Sequence, residues 1–127
     1  MKKYVWLIIP VFVAAMVFVL MKTVFFIGYV PTASMEPTLK EGDFIFGVRI
    51  FDDLKTGDII VFTKDGQLLV KRIAATEGQQ VKSKGEFITV PKDCFYMMGD
   101  NEFYSYDSRY WEEPFIIKKD VIAKVLL

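Results

Sequence analysis

The chain contains no histidine, yet Ser34 stands between two prolines in the run Pro31-Thr32-Ala33-Ser34-Met35-Glu36-Pro37-Thr38-Leu39. A serine hydroxyl becomes a nucleophile when a base takes its proton, and here that base cannot be imidazole. Lys71, in Leu68-Leu69-Val70-Lys71-Arg72-Ile73, is the candidate. On a strand, Leu69, Lys71 and Ile73 share one face. A lysine between two apolar neighbours loses water, which disfavours its charged form and lowers its pKa from the ordinary lysine range. A neutral amine of that kind can accept the serine proton, and the chemistry would be acyl transfer. The opposite register turns Arg72 inward with Val70 and Ala74 and leaves Lys71 in solvent; the alternation alone does not choose. Pro31 and Pro37 restrict φ and steer the residues before them away from helix. The serine segment is therefore expected to be a stiff irregular loop, suited to holding a nucleophile about 3 Å from a carbonyl carbon.

Other chemistries have less material to work with. Cys94 is the only cysteine, so no disulfide can form within the chain; it reads as a small buried apolar residue. A cysteine nucleophile normally wants a histidine, and a zinc site would have to be built almost wholly from carboxylates. No metal and no cofactor are expected. The formal charge is zero, with 16 basic and 16 acidic residues, but residues 23–127 hold 13 of the former and all of the latter. That excess of acid gives no basic footprint for nucleic acid.

The elements that must position Ser34 and Lys71 begin with an anchor. Val5 to Met21 is a run of 17 residues without a charge, bounded by Lys2 and Lys3 before it and Lys22 after it. Such a run reaches about 25 Å as a helix, close to the roughly 30 Å of a bilayer's hydrocarbon core, and a membrane helix tolerates a proline such as Pro10. It is longer than the apolar stretch of a typical removable signal. An uncleaved transmembrane helix is expected within residues 1–22, with its N-terminus cytoplasmic because Lys2 and Lys3 outweigh Lys22. Residues 23–127 would form one extracytoplasmic domain.

Beyond the anchor, short apolar runs alternate with turn chemistry. Strands are expected at Val24–Val30, Asp43–Ile50, Asp58–Thr63, Gln67–Ala75, Glu86–Val90, Cys94–Met98 and Val121–Leu127. Lys64-Asp65-Gly66 signals a hairpin. The expected fold is mainly β, a small antiparallel barrel or a pair of sheets, with Phe44, Phe46, Val48, Ile60, Phe62, Leu69 and Ile73 in its core. Twelve phenylalanines exceed what such a core needs, so some apolar surface is expected outside. Phe25, Phe26 and Tyr29 are read either as lipid-interface residues or as core of the first strand.

Four blocks, in order, resemble the type I signal peptidases, membrane-bound serine/lysine proteases that remove leader peptides from exported proteins. They are Pro31 to Leu39, Gly57-Asp58-Ile59-Ile60-Val61-Phe62, Val70-Lys71-Arg72-Ile73, and Met98-Gly99-Asp100-Asn101 with Ser105-Tyr106-Asp107-Ser108-Arg109-Tyr110-Trp111. The match is to the minimal, single-anchor forms. The resemblance implies that Ser34 is the attacking serine and Lys71 its general base. It implies that the Thr32 hydroxyl and the Ser34 backbone N–H form the oxyanion hole, and that the Ser105 hydroxyl orients the lysine. It makes Asp107 and Arg109 a supporting ion pair, with Asp100 beside them. It also implies exported preproteins as substrates, with small residues at the first and third positions before the cut and the peptide bound as an added strand. The chain departs from the family pattern at Glu102-Phe103-Tyr104 and at Ala74-Ala75-Thr76-Glu77, which leaves every proposed catalytic side chain in place.

Two rivals stand beside this reading. A self-cleaving repressor-type protease also uses serine and lysine, but a membrane segment occupies the place of its DNA-binding domain. A membrane-tethered β module, degenerate in catalysis, would bind peptides without cutting them.

Overall fold

A computed structural model describes residues 2–127; Met1, the first residue of the expected 1–22 segment, lies outside the described residues. Val5–Val24 forms helix α1, with Pro10 inside it and no residue buried. By length and composition it is the one helix among the described residues able to cross a membrane. It runs three residues past the charge-free stretch, placing Lys22 in its last turn, where a cation suits the helix dipole.

Nine strands follow: β1 (Phe25–Tyr29), β2 (Phe44–Val48), β3 (Ile59–Lys64), β4 (Gln67–Thr76), β5 (Gln80–Ser83), β6 (Glu86–Thr89), β7 (Cys94–Met98), β8 (Phe115–Ile117) and β9 (Val121–Leu126). Seven form an antiparallel sheet in the order β1-β2-β9-β3-β4-β7-β8, and β5 pairs with β6 in a second sheet. The mainly β expectation is met in its paired-sheet form. The larger sheet stays open, with β1 and β8 as its edges, and does not close into a barrel.

The centre of the sheet follows from an uninterrupted apolar run. Ile59, Ile60, Val61 and Phe62 are all buried, the pattern of a strand covered on both faces. Ile59 and Val61 join one core with Phe26, Met35, Leu39 and Ile45. Ile60 and Phe62 join another with Ile73, Met97, Trp111 and Ile116. Full burial of one such side chain is worth roughly 1.5 to 3 kcal/mol, so β3 is the strand on which both cores depend. The β3–β4 hairpin closes through Asp65 and Gly66, both at positive φ (51° and 77°), with Lys64 paired to Gln67. That is the two-residue turn whose twist matches antiparallel strands, and it sets the register of Lys71.

Phe44 and Phe46 are not core residues: they are 75% and 57% exposed. On β2 the inward positions belong to Ile45 and Gly47, and Gly47 lacks a Cβ where the Lys124 carbonyl oxygen of β9 would lie 2.8 Å from one. Period 2 then sends Phe44 and Phe46 outward. Val48 and Leu69 are half-buried, while Ile60, Phe62 and Ile73 are buried as expected. Cys94 is half-buried at the start of β7. Phe26 is in the core, whereas Phe25 and Tyr29 face outward.

Candidate active site

The serine segment is a short 3-10 turn, Ala33–Met35, entered from the extended residue Thr32. Met35 and Leu39 sink into the first core and the Leu39 N–H donates to the Met35 carbonyl at 2.9 Å, so apolar burial pins the turn from below. Ser34 itself is 6% exposed. Its oxygen accepts a hydrogen bond from the Thr32 hydroxyl at 3.1 Å, and its N–H donates to Thr32 Oγ1 at 3.4 Å. No hydrogen bond joins Ser34 to Lys71 in this structure.

Lys71 lies on β4 opposite Ile60 of β3, on the face it shares with Ile73 and Leu69, and is only 4% exposed. Of the two registers open from the alternation, the lysine-inward one is found. Burial lowers the Lys71 pKa from the ordinary lysine value; the Asp107 charge opposes that shift and Arg109 adds to it. Among the described residues no carboxylate forms an ion pair with it. Ser34, Thr32 and Lys71 line one cleft of about 560 Å³, together with Leu69, Tyr104 and Trp111. Lys64, Asp65 and Gln67 of the β3–β4 hairpin and Glu112-Glu113 line it as well.

Behind the lysine, Asp107 is fully buried and collects donors. Arg109 Nε and Nη2 each donate to it at 2.9 Å, the Ser105 hydroxyl at 2.7 Å and the Gly99 N–H at 2.9 Å. Burial pushes its carboxyl pKa up, but these hydrogen bonds outweigh burial and hold it below the usual carboxylate range. Ser105 therefore spends its proton on Asp107, which leaves its oxygen lone pairs for a cationic donor.

A second carboxylate ties the strands to the serine turn. Asp100 accepts two parallel hydrogen bonds from Arg72 at 2.8 and 2.7 Å and one from the Thr38 hydroxyl at 2.6 Å. The Arg72 bonds, with help from Thr38 and against burial, lower the Asp100 pKa. Asn101 donates its backbone N–H to the Ser34 carbonyl at 2.9 Å and its side-chain amide to the Ala33 carbonyl at 3.0 Å. Gly99 makes room for this: a Cβ there would fall on Ser105 Oγ and within 2.6 Å of the Ser34 carbonyl oxygen. Cys94 stands apart; burial, then Asp93 and Glu77, raises its thiol pKa, the wrong direction for a nucleophile.

A family model described as signal peptidase, peptidase S26, matches residues 1–90 and 86–127, which together cover the chain. The chain belongs to the signal peptidase (peptidase S26) family. It is similar to a probable signal peptidase I-1 of Synechocystis sp., 29% identical over 157 residues that cover 93% of this chain and 79% of that protein. It is similar also to a signal peptidase I of Leptolyngbya laminosa, 26% identical, covering 78% of this chain and 66% of the relative. A third relative, an inactive signal peptidase IA of Staphylococcus aureus, is 33% identical over 85 residues, covering 64% of this chain and 49% of that protein. The chain thus spans about half to four fifths of the length of these curated relatives.

Within this signal peptidase-family chain the site residues expected from the four blocks fall into a cleft, a hydrogen-bonded cluster and a brace. Thr32, Ser34 and Lys71 line the cleft; Ser105, Asp107 and Arg109 form one cluster, and Asp100, just after β7, joins Arg72 of β4 to Thr38 beyond the serine turn. Thr38, Gly99 and Asn101 went unassigned. The signal available for them was their place inside the matching blocks, but a contact spanning 62 or 68 positions in sequence leaves no local pattern.

Proposed function

We propose that this chain is an active signal peptidase I, a serine endopeptidase that cuts leader peptides from exported preproteins with Ser34 as nucleophile and Lys71 as general base. The observation that carries the reading is the shared cleft: Ser34, Thr32 and a desolvated Lys71 without a counter-ion line the same cavity. Family membership supports the same chemistry.

Rotation of the Ser34 side chain away from Thr32 frees its hydroxyl for the lysine amine. Ser34 Oγ then attacks the scissile carbonyl carbon while Lys71 Nζ takes the proton. The resulting ammonium gives it to the departing amine, and the C–N bond breaks to leave an acyl-enzyme. A water that loses its proton to Lys71 hydrolyses the ester. The Thr32 hydroxyl and the Ser34 N–H stabilise the oxyanion, at about 3 kcal/mol per donor. Ser105, Asp107, Arg109 and Asp100 support the lysine and the turn. The mechanism calls for no cofactor.

Residues 1–22 anchor the protein with the N-terminus cytoplasmic, and residues 23–127 form the extracytoplasmic peptidase domain. An apolar outer face supports its resting on lipid: exposed Ile27 pairs with exposed Phe46, and Tyr29 with Phe44, starting at Phe25, the residue after α1. The similarity to an inactive signal peptidase IA favours the peptide-binding module as the second reading. Incubating the full chain in nanodiscs with a preprotein, beside Ser34→Ala and Lys71→Ala, separates the two. Cleavage lost in both variants supports the peptidase. Cleavage surviving both removes the dyad, and none from the parent at any pH favours the binding module.

A further inference from the structure

We infer that Asn101 is a positioning residue that sets where Ser34 stands relative to Lys71; the inference rests on the peptidase reading. The serine turn is three residues long, and so short a turn has little rigidity of its own. Apolar burial of Met35 and Leu39 holds it on the core side, but that contact is non-directional and does not fix the rotation of the Ala33–Ser34 backbone. Direction comes from Asn101, whose two N–H donors take the carbonyls of two successive residues, Ala33 and Ser34.

The clasp is built into the fold at three points. Asp100, the preceding residue, is fixed to β4 by two bonds from Arg72, and Arg72 is the neighbour of Lys71. Gly99, one residue earlier, donates its N–H to Asp107 and has no side chain to hold the two segments apart. Three consecutive residues thus connect the strand of the base, the buried carboxylate cluster and the turn of the nucleophile. Asn101 does not line the cleft and its hydrogen bonds go to the serine turn, so its effect is on geometry and not on the proton affinity of the base.

The test compares Asn101→Ala and the isosteric Asn101→Asp with the parent, as full chains in detergent micelles, on a peptide spanning a leader junction. The Ala variant should lose about 10- to 100-fold in kcat, the scale on which a misplacement near 1 Å acts. Its KM should stay within about twofold and its kcat ratio to the parent should stay flat from pH 9 to pH 5. A carboxylate cannot donate to the Ala33 carbonyl, whereas a carboxylic acid can. The Asp variant should therefore be as impaired as Ala at pH 8, and its ratio to the parent should rise as the pH falls. A merely structural role would move thermal midpoints without producing that pH-dependent recovery. Variants matching a cleaving parent, a loss confined to KM, or an Asp ratio flat with pH would each overturn the inference. A parent that cleaves nothing removes the peptidase reading, and this inference with it.

Discussion

Asp100 holds Arg72 through two parallel hydrogen bonds of 2.8 and 2.7 Å, and the same carboxylate accepts from Thr38, four residues after Ser34. One acidic group therefore links the strand of the base to the loop of the nucleophile. Asp100→Asn should keep the shape and lose the ion pair. Arg72 is about a third exposed, so screening limits the cost to about 1 to 2 kcal/mol. Because the Asp100 pKa is lowered on folding, its contribution is present above the ordinary carboxylate pKa and is lost as pH falls through the folded value. Thermal unfolding of parent and variant should differ at pH 7 and converge in acid.

Lys71 should cost stability while serving catalysis. Its pKa is lowered on folding, so between the folded and unfolded values the unfolded chain binds more protons and stability rises with pH. Below the folded value the buried ammonium is a standing penalty. Lys71→Met, which keeps the length and removes the charge, should abolish cleavage yet raise the thermal midpoint at neutral pH. A midpoint that falls would contradict the assigned burial.

Thr32 is expected to act through its hydroxyl. Thr32→Val should reduce kcat by about 100-fold or more, the usual effect of removing one oxyanion donor, with KM little changed. Thr32→Ser should retain most activity. Equal losses in the two variants would mean that the methyl group, not the hydroxyl, matters.

Asp107 opposes the effect of burial on Lys71. Asp107→Asn removes that negative charge, so the Lys71 pKa should fall further and the acid limb of kcat/KM should move to lower pH. The same change weakens a buried pair with Arg109, at a cost of about 3 kcal/mol. Rate profiles read alongside melting curves separate the two effects; an acid limb that moves upward would refute the sign.

Strand periodicity and turn residues were sufficient for β1 to β4, β6, β7 and β9, because each is an apolar run bounded by glycine, proline or acidic turns. β5, Gln80-Val81-Lys82-Ser83, has one apolar residue and gains strand form from pairing with β6. β8 is three residues long and depends on β7. Tertiary pairing supplies what the local pattern lacks in both. The same limit explains Phe44 and Phe46: alternation identifies two faces but does not say which is wet, and Gly47 decides it by close approach to β9. At the site, the absence of histidine pointed to a lysine base, but alternation left Lys71 and Arg72 open, and it was the resemblance carried by the four ordered blocks that singled out Ser34 and Lys71. Asn101 could not be chosen that way, because its role exists only where residues far apart in sequence meet.

The amine of Lys71 can be followed directly through its 13Cε resonance as pH is varied, in the full chain held in nanodiscs. The account predicts a titration midpoint below the ordinary lysine value of about 10.4, coinciding with the acid limb of leader-peptide cleavage. A midpoint at or above that value, with cleavage undiminished at neutral pH, would contradict it.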